Sequence, residues 1–227
     1  MTILDPIPFA LDAERLMAKF RIAPDFENVP AFREFVARVQ DAAKPKAIYD
    51  VAYIDEKGDD FVVVQGVRFT SRTLRRHLTE AERVFPYVVT CGTEVDSAKG
   101  PDDGIWQKAW LYMLKGEIVS VAVGDLARHI GEHQRIARLS SMNPGSGDMD
   151  MWPIAQQKEL LSLLGDVEAA IGVTLTASYL LRPEMSVSGL MFPTEFDFHS
   201  CQVCHRERCP NRRAPFSQED WEAFCRE

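Results

Sequence analysis

The sequence predicts an α+β domain, and three observations predict it. Helix-patterned and strand-patterned stretches alternate irregularly, without the steady βαβ period of a parallel sheet. A β-rich hairpin sits early in the chain, and further apolar strand runs come late. The 227 residues, 46% hydrophobic and 26% charged, have the ordinary globular mix and enough length for one sizeable core.

Taken in order, residues 10–20 and 29–43 place apolar positions at helical spacing, and Pro30 suits a first helical turn. "KAIYDVAYI" and "FVVVQGVRF" flank "DEKGDD" and read as a hairpin. Ser71 caps a short helix over 71–77. Residues 84–95 read as a strand ending in a Cys91-Gly92 turn, with Cys91 a small core residue. From about 102 to 133 the pattern is helical, expected in two pieces near Gly116, with an apolar middle that predicts burial. Trp106, Trp110 and Met113 are expected in the core. "IARLS" reads as a strand before the loop "SMNPGSGDMDMWP". "AQQKELLSLLG" and "DVEAAIG" are helices with glycine stops, and "TLTASYLL" and "SVSGLMF" are strands. The expected division is a body, residues 1–195, and a cysteine-rich tail, residues 196–227.

A net charge of −8 argues against general nucleic-acid or anionic-membrane binding. A local basic patch, Arg206, Arg208, Arg212 and Arg213, is suited to an acidic partner. No stretch approaches the roughly 18–20 apolar residues of a membrane span, and the N-terminal residues do not read as a signal peptide. The expected compartment is cytoplasmic, where clustered cysteines more often bind metal or do redox work than form bridges.

The tail carries the sharpest chemical signal. Cys201, Cys204 and Cys209 have a C-x2-C-x4-C spacing, and Pro210 follows the last. Two residues between thiols let one turn aim both sulfurs at a common point, and a four-residue loop returns a third. A tetrahedral zinc site or a four-iron cluster usually takes four ligands. Cys225 is the expected fourth, with His199 and His205 as rivals. Ser217 and Asp220 fit a capping box, and Phe216 and Trp221 a hydrophobic staple, for a helix over 218–226. The metal is read as an iron–sulfur cluster, probable type 4Fe-4S by ligand count, with zinc as the alternative and a thiol–disulfide switch as a third reading.

Three other stretches carry candidate chemistry. The loop 143–153 is glycine-rich and lets a ligand approach backbone, or is a plain connector. Ser186 and Ser188 alternate with Val187 before Gly189, so on a strand both hydroxyls face one way. They line a pocket or bond locally. His129 and His133, four apart on a helix, form a metal clamp or, more simply, a solvated face.

Together "SMNPGSGDMDMWPIAQQKELLSLLG", "LTASYLLRPEMSVSGLMFP" and "FPYVVTCGTEVD" resemble the activation domain of cobalamin-dependent methionine synthase, and more closely the free-standing proteins of that family. The resemblance covers roughly residues 45–195. It implies a curved α+β domain with a central, mainly antiparallel sheet. It also implies S-adenosylmethionine binding around Pro144, Gly145, Ser146 and Gly147, with Ser186, Ser188 and Gly189 close by. The activity implied is reductive remethylation of cob(II)alamin carried by a corrinoid protein or methyltransferase, with a reductant protein as electron source. The family's Arg-x-x-Pro-Gly-Tyr loop departs here: Ser141 stands for the arginine and Ser146 for the tyrosine. Arg138 and Arg182 are the nearby arginines in sequence that could substitute for it. In this setting the tail suggests an electron-passing cluster. The alternative is a non-catalytic corrinoid-protein-binding module with structural zinc.

Overall fold

The computed structural model describes residues 1–101, 103–147, 151–195, 200–209, 212 and 214–224. In chain order the elements are β1 (Thr2–Leu4), α1 (Ala13–Phe20), α2 (Val29–Ala42), β2 (Lys46–Tyr49), β3 (Ala52–Lys57), β4 (Phe61–Val64) and β5 (Val67–Thr70). Next come α3 (Arg72–His77), β6 (Arg83–Thr90), α4 (Ile105–Gln134), β7 (Leu139–Met142), α5 (Gln157–Ser162) and α6 (Val167–Ile171). The chain continues through β8 (Thr174–Leu175), β9 (Leu181–Arg182), β10 (Ser186–Pro193) and α7 (Gln218–Phe224).

The α+β class with an antiparallel sheet holds. β6 is the spine, pairing with β2 on one side and β10 on the other. β10 in turn pairs with β7, and β2 with β1. The run expected as one strand over 46–54 is interrupted at Asp50–Val51. Its second part, β3, still pairs with the start of β6 and then carries the β4–β5 meander away. Gln65 and Gly66, both with positive φ, make the two-residue turn between β4 and β5.

Alternation along the strands builds the layers. Ala47, Tyr49, Phe85, Tyr87, Val89 and Met191 face α4, where Ala122, Leu126 and Ile130 meet them. Ile48 and Val88 face the opposite way, against Leu164, Val167 and Ile171. Beyond the sheet end, α1, α2 and the first half of α4 form a helical cluster around Phe32, Phe35 and Trp110.

Three expectations need correction. α4 is one continuous helix of 30 residues, about 45 Å long. Its buried stripe, Trp110, Leu114, Ile118, Ala122, Leu126 and Ile130, runs past Gly116 without a break, so packing carries the helix through a residue of poor propensity. Trp106 is half exposed and stacks on Trp110 from outside the core. "TLTASYLL" is not one strand: β8 and β9 are two-residue strands joined by a turn in which Tyr179 has φ 61°. Ser71 does cap α3, its Oγ accepting from Leu74 N at 3.0 Å. Among the described residues no helix is long and apolar enough to cross a membrane.

Candidate functional site

The loop expected to meet a ligand begins where β7 ends. β7 pairs with β10 in the register Leu190↔Met142, which brings Asn143 beside Ser188 and Gly189. Asn143 locks the two together: its Nδ2 donates to the Tyr87 hydroxyl at 2.7 Å and to the Ser188 carbonyl at 2.6 Å. Gly189 is required by that junction. A Cβ there would lie 2.4 Å from the Met142 carbonyl oxygen and 2.5 Å from Asn143 Nδ2. The two segments resembling the family's motif are therefore neighbours, and Asn143, which the sequence reading passed over, is what joins them.

The serines do share one face of β10. Ser188 is buried and donates to Gln157 Oε1 at 2.8 Å, while Gln157 Nε2 donates to the Tyr179 carbonyl. Ser186 Oγ donates to Thr90 Oγ1 at 2.9 Å. Both hydroxyls have local partners. Pro144 is buried, whereas Gly145 and Gly147 expose backbone and hold φ at 74° and 92°. Their inner sides are covered by this chain: a Cβ on Gly145 would meet Ile154, and one on Gly147 would meet Met151. Gly145 N donates to the Trp152 carbonyl at 2.8 Å, closing the loop on itself.

Trp152 anchors the loop. It is fully buried, edge-on to Phe69, and its Nε1 donates to Gln156 Oε1. Gln156 clasps Thr70, accepting from its N–H and donating to its carbonyl, both at 2.8 Å. Ser71 Oγ donates to the Met151 carbonyl. The arginines considered as substitutes are engaged elsewhere. Arg138 Nη1 donates to the Glu195 carbonyl at 2.9 Å, and Arg182 pairs with Glu184.

The tail packs onto the body. Val203 and Cys204 are buried in the cluster of Phe69, Leu74, Trp152 and Phe192, and Trp221 packs against it. α7 lies on α3, where Arg76 Nη1 donates to the Ala223 carbonyl at 2.9 Å. Ser217 caps α7 through Asp220 N. The reciprocal half of the expected box is replaced by Gln202: its carbonyl accepts from Ser217 N, and its Nε2 donates to Asp220 Oδ2. Phe216 and Trp221 both contact the His205 ring, at 4.7 and 5.2 Å between centroids.

Cys201, Cys204 and Cys209 lie on one short stretch of chain, with no disulfide among them. The residue that shapes that stretch is Arg212. Its guanidinium donates to the carbonyls of Cys201 (2.8 Å), Ala214 (3.1 Å), Cys204 (3.0 Å) and Arg206 (2.6 Å), while its N–H donates to the Cys209 carbonyl. Arg212 is thus turned inward and is not part of an outward basic patch. A rigid planar fork suits four converging carbonyls. Arg213, His199 and Cys225 lie outside the described residues, as do residues 148–150 of the loop. Among the described residues no three His, Cys, Asp or Glu side chains come together as a metal-holding group. The three described thiols therefore do not form such a set by themselves.

Cys91 and the histidine pair are structural. Burial pushes the Cys91 thiol up to about 11, an unreactive state. His129 and His133 stack at 3.9 Å, His133 Nδ1 lies 2.8 Å from the His129 carbonyl, and Tyr49 packs edge-on to His129. Burial and the neighbouring His133 lower the His129 pKa.

With this geometry in place, the chain can be compared with known proteins. No family model and no curated protein matches the sequence. Among solved structures, the MetH reactivation domain bound to AdoHcy superposes with a TM-score of 0.57 at 13% identity, over 99% of this chain and 89% of that one. The likeness runs through the whole chain and is one of fold: this α+β body is built as the MetH reactivation domain is built.

Proposed function

We propose that this chain serves the reactivation of a corrinoid protein, docking on a partner that carries cobalamin and binding S-adenosylmethionine or its demethylated product. The observation that carries this reading is the whole-chain likeness in fold to the MetH reactivation domain, whose solved form holds AdoHcy. The junction at Asn143 supports it, because it ties to β10 the loop that carries the exposed backbone of Gly145 and Gly147. Binding at this loop must proceed without the family's arginine fork, so polar recognition falls to backbone groups and to Ser146, because Ser188 is buried against Gln157 and Ser186 is engaged with Thr90.

Calorimetry with S-adenosylmethionine and AdoHcy, paired with co-elution against a cob(II)alamin-loaded methionine synthase fragment, tests both halves. Saturable heat together with a complex is expected. Heat without a complex leaves a ligand-binding module, and the absence of both heat and complex removes the reading.

The electron-transfer half of the proposal assigns Cys201, Cys204, Cys209 and Cys225 to an iron–sulfur cluster. It rests on the cysteine spacing and requires the fourth donor to close a set that the first three do not complete. A bound cluster would supply one-electron chemistry; the chain's part is to present the thiols, and the Arg212 hub orders the carbonyls between them. Metal analysis of anaerobically purified protein decides it. Iron with acid-labile sulfide, lost in Cys204→Ser, supports a cluster. One zinc per chain supports the alternative, a non-catalytic corrinoid-protein-binding module. Metal-free protein removes both.

A further inference from the structure

A second site lies away from the loop and the tail. A cavity of about 500 Å³ opens between the segment around Lys99, the first half of α4 and residues 184–185. Its walls combine Leu111, Tyr112 and Met185 with the ammonium groups of Lys99, Lys108 and Lys115. Lys108, Leu111, Tyr112 and Lys115 recur at spacings of three, four and seven, so one face of the helix presents them all.

The charge arithmetic gives the cavity its character. Lys99 and Lys115 share a single carboxylate, Asp96, at 2.6 and 2.8 Å. Burial opposes ionisation of Asp96, but the hydrogen bonds from both lysines outweigh it and hold the carboxyl below its usual range. Among the described residues Lys108 has no ion pair and is exposed. The acids in the wall are matched by arginines instead. Asp103 takes Arg38 at 3.0 Å and the Gly100 N–H at 2.8 Å, and Glu184 takes Arg182. Among the described residues three ammonium groups therefore answer to one carboxylate, a local surplus of two positive charges in a chain whose net charge is −8. Concave walls concentrate that potential on whatever enters.

We propose that this cavity binds a phosphate monoester with a small, partly apolar organic body. A phosphate monoester carries about −1.5 to −2 charges at neutral pH, matching the surplus. Lysines hold phosphate as point charges, whereas planar carboxylates favour an arginine fork, and the described lining residues include no arginine. The volume lies within the range of about 300–1,000 Å³ typical of small-ligand sites. Leu111 and Met185 supply the apolar contact, and Tyr112, well exposed at the rim, is placed to cover a ring. The site is independent of the corrinoid reading, and neither stands or falls with the other.

The test uses phenyl phosphate, adenosine 5′-monophosphate and inorganic phosphate with the full chain. Amide resonances of residues 107–115 and 184–185 are followed by NMR, beside thermal shift. Both esters should bind saturably, move those resonances, and weaken as salt rises. Inorganic phosphate should bind about tenfold more weakly, lacking the apolar contact. Lys108→Glu should weaken the esters about tenfold or more while leaving the melting temperature unchanged. Lys158→Glu, on exposed α5 surface, should change nothing. No saturable shift at millimolar ester, shifts confined to other residues, or unchanged affinity in Lys108→Glu overturns the proposal. Equal affinity for inorganic phosphate overturns its organic part.

Discussion

The loop after β7 and the cysteine tail dock on the same core cluster, yet they are held there by opposite means. The loop is fixed by burial: Trp152 enters the cluster against Phe69, and Gln156 and Ser71 tie its backbone to the edge of β5 and α3. The tail also inserts small apolar side chains, Val203 and Cys204, but its own shape comes from one arginine gathering four carbonyls. The difference teaches where each segment's order comes from. Apolar burial couples a segment to the stability of the whole domain. A polar hub shapes a segment locally and adds little to global stability.

Four perturbations break or sharpen this contrast, the largest first. Trp152→Ala should cost about 3–5 kcal/mol in urea unfolding, because it empties the centre of the shared cluster. A loss under about 1 kcal/mol would mean that the loop is not welded to the core. Gly189→Val should cost about 3 kcal/mol, since the new side chain collides with backbone at the Asn143 junction. It should also abolish S-adenosylmethionine heat if the loop is the binding surface.

The third concerns pH. Burial lowers the His77 pKa to about 4 from an ordinary 6.5, with Asp220 of α7 pulling the other way. Because the folded value lies below the unfolded one, the unfolded chain binds more protons between those limits. Stability is therefore full above pH 6.5 and declines as the pH falls toward 4, by about 3 kcal/mol. His77→Gln should flatten that slope. An unchanged slope would show that other groups carry it. The smallest global effect belongs to Arg212→Ala, about 1 kcal/mol or less. It should nevertheless speed hydrogen exchange and proteolysis across 201–214 markedly, and Arg212→Lys should not restore protection, because a point charge cannot address four carbonyls at once.

Much of the scaffold was legible in the sequence, because local chemistry decides it. Ser71 caps, Pro30 opens α2, Gly172 stops α6 in a left-handed turn, and Ser217 caps α7 as their residue types require. What escaped was tertiary. Gly116 reads as a break until the continuous stripe of α4 is seen against two clusters. Trp106 reads as core by spacing, yet Phe26 and Trp110 leave one of its faces in solvent. The three-residue β1 is too short to signal, and its pairing with β2 is all that defines it.

The candidate site followed the same rule. Ser186 and Ser188 were placed on a common face by period two alone, whereas their engagement with Thr90 and Gln157 was not foreseeable. Asn143 carries no motif, and its role exists only once β7 lies beside β10. Lys108 and Lys115 left a faint trace, seven apart on a helix. Lys99 joins them only through the fold, and the charge surplus follows from the pairing of Asp96, Asp103 and Glu184.

The unbroken α4 has a final consequence. Its first half is set in the helical cluster and its second half against the sheet. A rod clamped at both ends offers no hinge, so neither half of the body can melt while the other stays intact. Amides along the middle of that rod should therefore exchange only through opening of the entire domain, making it the slowest clock in the molecule.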